Sequence, residues 1–187
     1  MYTKGLLQLT LAILKPHVVK SPFALQKIRD IIIDNNFKIV RSRRANITRE
    51  EAELFYNEHK DKFFYNRLLT FMCSGPSDIY ILAGHNAIAN WRKLMGPTKV
   101  YQAQYTAPDT IRGMFGLSDT RNAAHGSDSV ETAQREIAIF FKEFNSKKWY
   151  ENDEKFYNLG QLQFDPIAFL HTVDQNYVDI HKHHSTK

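Results

Sequence analysis

The chain has 187 residues, 43% of them hydrophobic, with 25 Lys and Arg against 20 Asp and Glu for a formal charge of +5. This length suits one globular domain whose core stands without disulfides, and a single cysteine, Cys73, excludes a disulfide scaffold and points to a reducing compartment. No apolar run approaches the roughly 18 residues of a membrane span, so a soluble chain with a preference for anionic partners is expected.

Residues 9–14 form a short apolar run ending at Lys15-Pro16, which reads as a buried strand opening onto a loop. The only charge before it is Lys4, which makes neither a signal peptide nor an Arg-rich transit peptide. Ser21-Pro22 supplies an N-cap with proline at the first helical position, Leu25, Ile28, Ile32 and Ile33 recur at helical spacing, and Asn35-Asn36 stops the helix. A second strand follows from Phe37, and Thr48 with Glu51 forms a capping box ahead of Leu54, Phe55 and Tyr56. Residues 63–72 read as another apolar helix and residues 78–84 as a third strand. Asn86 is placed to cap a helix through Trp91 to Met95, ended by Gly96-Pro97. From Gly96 to about Asn122 the periodicity disappears, leaving a connection long enough to suggest function. Asp128 with Glu131 is read as the start of the last helix, with Val130, Ala133, Ile137, Phe140, Phe141 and Phe144 as its apolar stripe.

This order predicts an α+β fold, a ferredoxin-like split β-α-β antiparallel sheet with helices packed on it. Residues 1–8 are a lead-in, 9–150 the domain, and 151–187 a polar extension, partly ordered around Phe164 to Leu170 and then frayed. The terminal His181, His183 and His184 lack a nearby carboxylate or cysteine to complete a metal set, so a solvated tail is the preferred reading. Arg41, Arg43 and Arg44, near Phe37 and Tyr56, suggest nucleic-acid binding only weakly; a solvated sheet edge is the better account.

The densest chemistry lies in residues 121–131, where His125 precedes a glycine and a polar helix start. Unpaired backbone N–H groups in that first turn would attract phosphate oxygens, and a neutral imidazole beside them is a competent phosphoryl acceptor. Glu136, at the edge of the apolar stripe, is placed to hydrogen-bond one imidazole nitrogen and aim the other at phosphate. Lys15, Arg92 and Arg112 add cations; one ammonium about 4 Å from a phosphate oxygen contributes roughly 4 kcal/mol at an effective dielectric near 20.

The motif Asn122-x-x-His125-Gly-Ser-Asp-Ser129 resembles the active-site signature of nucleoside diphosphate kinases. Lys15-Pro16, Phe71-Met-x-Ser-Gly-Pro76, Thr110-Ile-Arg-Gly113 and Ser129-Val-Glu-x-Ala-x-x-Glu136 follow in family order. Met95-Gly-Pro-Thr98, Ala107-Pro-Asp and Phe115-Gly-Leu-Ser-Asp-Thr-Arg-Asn122 look like the type 6 branch, which is associated with mitochondria. The resemblance implies ping-pong transfer of the γ-phosphoryl group of ATP to other nucleoside diphosphates through a phosphohistidine at His125. It implies that Glu136 orients the histidine and that Ser127 bonds beside them. Lys15, Tyr56, Arg92, Thr98, Arg112 and Asn122 would surround phosphates and sugar, and Phe64 would stack on the base. Mg²⁺ would be held mainly by the nucleotide phosphates, with no protein metal ligands. The implied location is mitochondrial, with the cytoplasm as alternative. A weakly active or inactive nucleotide-binding adaptor of the same fold is the alternative function.

The sequence departs from the family pattern at His17, where Asp usually follows Lys-Pro, at Lys62-Phe63 in place of Arg-Pro, and at Asp119, where an apolar residue commonly flanks the base. The loop between Gly96 and Thr110 is also longer than the common form. In hexameric members this loop makes subunit contacts, so the resemblance leaves a protein partner and a homo-oligomer both open.

Overall fold

The computed structural model describes residues 5–178. Strands β1 (Gln8–Leu14), β2 (Lys38–Ala45), β3 (Ser77–Gly84) and β4 (Ala124–Gly126) form one sheet in the order β2-β3-β1-β4, with every neighbouring pair antiparallel. β1 and β2 therefore run parallel with β3 inserted between them, the split arrangement expected from the element order. Around the sheet lie α1 (Pro16–Val19), α2 (Pro22–Asp34), α3 (Arg49–Phe55), α4 (Tyr65–Met72), α5 (Ala87–Met95), α6 (Val100–Thr106), α7 (Ile111–Phe115), α8 (Val130–Phe140), α9 (Ser146–Asn152) and α10 (Glu154–Leu159). A separate hairpin pairs β5 (Leu162–Asp165) with β6 (Leu170–Val173). Among the described residues no helix is long and apolar enough to cross a membrane.

Alternation along the strands builds two cores. Leu11 and Ile13 of β1 and Ile79 and Ile81 of β3 pack with Phe55, Leu69 and Ile137 on one face of the sheet. Ala12, Leu14, Tyr80 and Leu82 pack with Ile28, Ile32 and Trp91 on the other. Both central strands are buried on both faces, which is why they read as continuous apolar runs.

Several helix ends form as their sequences dictate. Ser21 accepts a hydrogen bond from the Ala24 amide with Pro22 at the first helical position, and Thr48 and Glu51 complete a reciprocal capping box. Asn35 closes α2 and Asn36 turns the chain at φ 61°.

Elsewhere the structure corrects the expectation. The aperiodic stretch after Gly96 contains α6 and α7, whose seven and five residues are too short to display a stripe. Asn86 occupies the N-cap position of α5 at φ 50° without a side-chain bond, and Gln8 Oε1 instead accepts from the Ile88 amide at 2.9 Å. Ser129, not Asp128, caps α8, accepting from the Thr132 amide at 3.1 Å. Val130 is half exposed, and Phe141 and Phe144 lie past the end of the helix.

Nor is α8 the last helix. Order beyond residue 150 extends past the stretch around Phe164 to Leu170: α10 ties down the start of β1, with Glu154 Oε1 accepting from the Leu7 amide at 2.8 Å. Phe169 packs against Tyr80 at 5.1 Å and under the Arg29 guanidinium at 4.6 Å. His171 Nδ1 accepts from the Ile39 amide at 3.0 Å, and Tyr157 donates to the His171 carbonyl at 2.8 Å. The edge of β2 is therefore partly covered rather than solvated. His181, His183 and His184 lie outside the described residues.

Candidate active site

The pairing of Ile13 with His125 places His125 on the same sheet face as Ile13, under α3 and α8. There its Nε2–H donates to Glu136 Oε2 at 2.5 Å, and its ring meets Phe55 edge-on at 4.7 Å. Glu136 is 2% exposed. Ser127, fully buried, accepts from the Leu11 amide at 3.2 Å and donates to Glu136 Oε2 over 3.5 Å. An ionised carboxylate has no hydrogen to give, so the bond puts the imidazole proton on Nε2 and leaves a lone pair on Nδ1. Nδ1 makes no hydrogen bond to a described residue.

The residues around His125 hold its backbone. Trp91 Nε1 donates to the His125 carbonyl at 3.0 Å. Strand alternation turns Gly126 toward Trp91, where a Cβ would sit 2.4 Å from the indole, so only glycine admits this approach. Ala123, at φ 73°, accepts from the Lys15 amide at 3.0 Å and ties the end of β1 to the start of the histidine strand.

His125 opens into a cleft of about 690 Å³, which is also lined by every other residue expected to touch nucleotide: Lys15, Tyr56, Phe64, Arg92, Thr98, Arg112 and Asn122. Lys15 is 5% exposed with Nζ donating to the Thr120 carbonyl at 3.2 Å, and burial, helped by the Arg112 charge, pushes its pKa down to about 7. Arg112 donates to the carbonyls of Gly96 at 2.8 Å and Ala124 at 3.1 Å; burial and the nearby Arg92 push it down to about 10. Its Nε and Asn122 Oδ1 are buried without a hydrogen-bond partner among the described residues. Burial, then the Glu136 charge, raises the Tyr56 phenol. The cleft thus gathers poorly compensated positive charge around a histidine with one free nitrogen, an arrangement suited to polyanionic phosphate.

The profile of the nucleoside diphosphate kinase family matches residues 8–146. The chain belongs to that family. It is 50% identical over 167 residues to human nucleoside diphosphate kinase 6, covering 89% of this chain and 90% of that protein. It is 37% identical over 130 residues to a probable nucleoside diphosphate kinase 5 of Arabidopsis thaliana, covering 70% and 90%. Among solved structures it resembles the Aquifex aeolicus nucleoside diphosphate kinase, with TM-score 0.69 and 39% identity over 72% of this chain and 95% of that one. It also resembles the Halobacterium salinarum enzyme in complex with CDP, with TM-score 0.67 and 32% identity over 76% and 97%.

Against the reading of residues 121–131 as a helix-start anion site, the first turn of α8 contributes less than expected. Ser129 occupies the Thr132 amide, and the cleft is lined there by Asp128, Thr132, Arg135 and Glu136 rather than by Val130 and Glu131. The cations of the cleft wall are side chains, Lys15, Arg92 and Arg112 among them. His17 faces away from the cleft, donating from Nε2 to the Phe115 carbonyl at 3.3 Å; burial lowers its pKa, as do the charges of Lys15 and Arg121, against that bond's opposing effect. Of Lys62 and Phe63, Phe63 lines the cleft beside Phe64 and is 92% exposed.

Sequence reasoning missed Phe55 and Trp91, which brace His125 from the side and from behind. Each looked like one more apolar residue of a helix, and only the sheet register shows what it touches. The three arginines of β2 are engaged within the protein: Arg41 lies over Phe144, Arg43 bonds Glu51 and the Phe140 carbonyl, and Arg44 bonds Asp78.

Proposed function

We propose that the chain is an active nucleoside diphosphate kinase. The observation that carries this reading is the hydrogen bond from His125 Nε2 to buried Glu136, which leaves Nδ1 as a nucleophile facing Lys15, Arg92 and Arg112. Nδ1 attacks the γ-phosphorus of ATP, the bond from that phosphorus to the β,γ-bridging oxygen breaks, and ADP leaves with the electron pair. The resulting imidazolium, with Glu136 at its other nitrogen, then yields its phosphoryl group to the terminal oxygen of GDP, CDP or UDP. Lys15, Arg92 and Arg112 balance the charge that builds on the transferring group, while Asn122, Thr98 and Tyr56 bond phosphate and sugar.

Mg²⁺ belongs to the same proposal as an ion carried by the nucleotide. Asp128, in the turn that follows the histidine strand, offers a carboxylate on the cleft wall, and a single such donor suits an ion that keeps its phosphate and water ligands. When bound it would supply further charge neutralisation at the phosphates. The mitochondrial location implied by the type 6 resemblance is likewise proposed, and protease protection in fractionated cells tests it.

The test is to incubate the chain with γ-labelled ATP and Mg²⁺ and follow acid-labile, base-stable label onto added GDP. We expect label on His125 that transfers, and loss of both in His125→Ala with nucleotide still bound. Binding without label in the wild type would replace this reading with the adaptor. One observation favours that second reading: Tyr101 and Tyr105 of α6 are each 82% exposed, an aromatic surface fit for a protein partner.

A further inference from the structure

The cleft has two chemically different ends. His125, Lys15, Arg92 and Arg112 make one end cationic, while Phe64, with Phe63 at 5.3 Å and His59 at 5.6 Å, makes the other aromatic. A nucleotide whose terminal phosphate meets His125 therefore lays its base at the aromatic end. Asp119 and Thr120 line this cleft and, together with Arg67 of α4, also line the adjoining hollow. The Asp119 turn thus lies near the first turns of α4, the helix that Phe64 precedes.

Asp119 is exposed, yet its carboxylate is held. Oδ1 accepts from the Val100 amide at 3.2 Å, at the first residue of α6. The turn itself is closed by Leu117 N–H donating to the Arg121 carbonyl at 2.8 Å and Arg121 N–H donating to Ser118 Oγ at 3.1 Å. This leaves Oδ2 without a hydrogen bond to a described residue. A carboxylate oxygen only accepts. It bonds an amino group on the edge of a base and repels a carbonyl in the same place.

We infer that Asp119, oriented by the first amide of α6, is a specificity-determining residue that favours bases presenting an exocyclic amine, cytosine over uracil being the cleanest pair. This rests on the phosphotransfer reading for the direction in which the nucleotide lies. CDP and UDP differ at position 4, an amine against a carbonyl, and in protonation of the neighbouring N3. One exposed hydrogen bond gained or lost corresponds to a ratio of roughly three- to tenfold.

The experiment measures kcat/KM for CDP and UDP as acceptors, and their dissociation constants by calorimetry, for the full chain, Asp119→Asn and Asp119→Ala. Asparagine keeps an oxygen for the Val100 amide and turns the other arm into a donor. The ratio of CDP to UDP should fall from above three in the wild type to near one in Asp119→Ala, and invert in Asp119→Asn. An unchanged ratio across the three proteins overturns the inference. Loss of all transfer with the binding ratios shifting as stated rejects the phosphotransfer reading alone, and failure of every protein to bind either nucleotide overturns both.

Discussion

Two carboxylates lie at nearly the same depth on opposite faces of one sheet, Glu136 at 2% exposure and Asp78 at 1%, and their partners differ in kind. Asp78 accepts from Arg44 at 2.6 and 2.9 Å, from Arg29 at 3.0 Å and from the Tyr80 hydroxyl at 2.7 Å. Burial alone would raise its pKa, but bonds from Arg44 and Tyr80 and the charges of Arg44 and Arg29 hold it below the ordinary value. Glu136 has an imidazole and one long bond from Ser127, and no guanidinium or ammonium among the described residues. A carboxylate saturated by cations holds the scaffold together. One whose chief partner is a titratable base sets which nitrogen of that base stays free.

The cations show the same division. Arg44 is raised by its bond to Asp78, whereas Lys15 and Arg112 are lowered by burial and by neighbouring positive charge. Charge on the Asp78 face is neutralised inside the protein. On the His125 face, Lys15 and Arg112 bond backbone carbonyls and pair with no carboxylate among the described residues.

Exchanging the two losses breaks this comparison most directly. Asp78→Asn, which leaves Arg29 and Arg44 facing a neutral group, should cost about 3 kcal/mol of stability in denaturant titration while transfer per folded molecule stays within about twofold. Glu136→Gln should do the reverse, lowering transfer roughly a hundredfold with a stability change under about 1 kcal/mol. If Glu136→Gln unfolds the chain and Asp78→Asn silences it, the division is wrong.

The same contrast has a pH signature. Asp78 has a folded pKa below its unfolded one, so its contribution is complete above about pH 4 and is lost as pH falls through the lower folded value. Wild-type stability should therefore drop more steeply below pH 4 than that of Asp78→Asn. Parallel stability curves for the two proteins would remove Asp78 from the account of acid unfolding.

Much of the His125 site was legible because its chemistry is concentrated in short motifs: the histidine strand, the cap and the glutamate lie within residues 122–136. The three long strands were legible because capping residues and apolar runs mark their boundaries. The Asp78 network was not, since Arg29, Arg44, Asp78 and Tyr80 come from three elements and no local spacing links them. The C-terminal hairpin was hidden for a related reason. Its polar sequence buries only a few groups, among them Phe169 and His171, and its place depends on partners more than a hundred residues away such as Ile39. Short α6 and α7 left no periodic trace, although α6 supplies the amide that holds Asp119.

The smallest expected effect sharpens the electrostatic half of the comparison. Lys15, with its pKa near 7 in the folded protein, is partly neutral at pH 8, and phosphate beside it restores the charge. Nucleotide binding should then draw in a fraction of a proton, less than one, read as the difference in ADP binding heat between two buffers of unlike ionisation enthalpy. The uptake should shrink toward pH 6, where Lys15 is already charged. In Lys15→Arg it should vanish at every pH, because a guanidinium does not release its proton in this range. The same shift has a sign in stability: the unfolded chain, with lysine near 10.5, binds more protons between pH 7 and 10.5, so stability from this group rises with pH across that window. Uptake that persists unchanged in Lys15→Arg would mean that another group, not the buried lysine, answers the phosphate. The positive charge of this face would then be less frustrated than its burial implies.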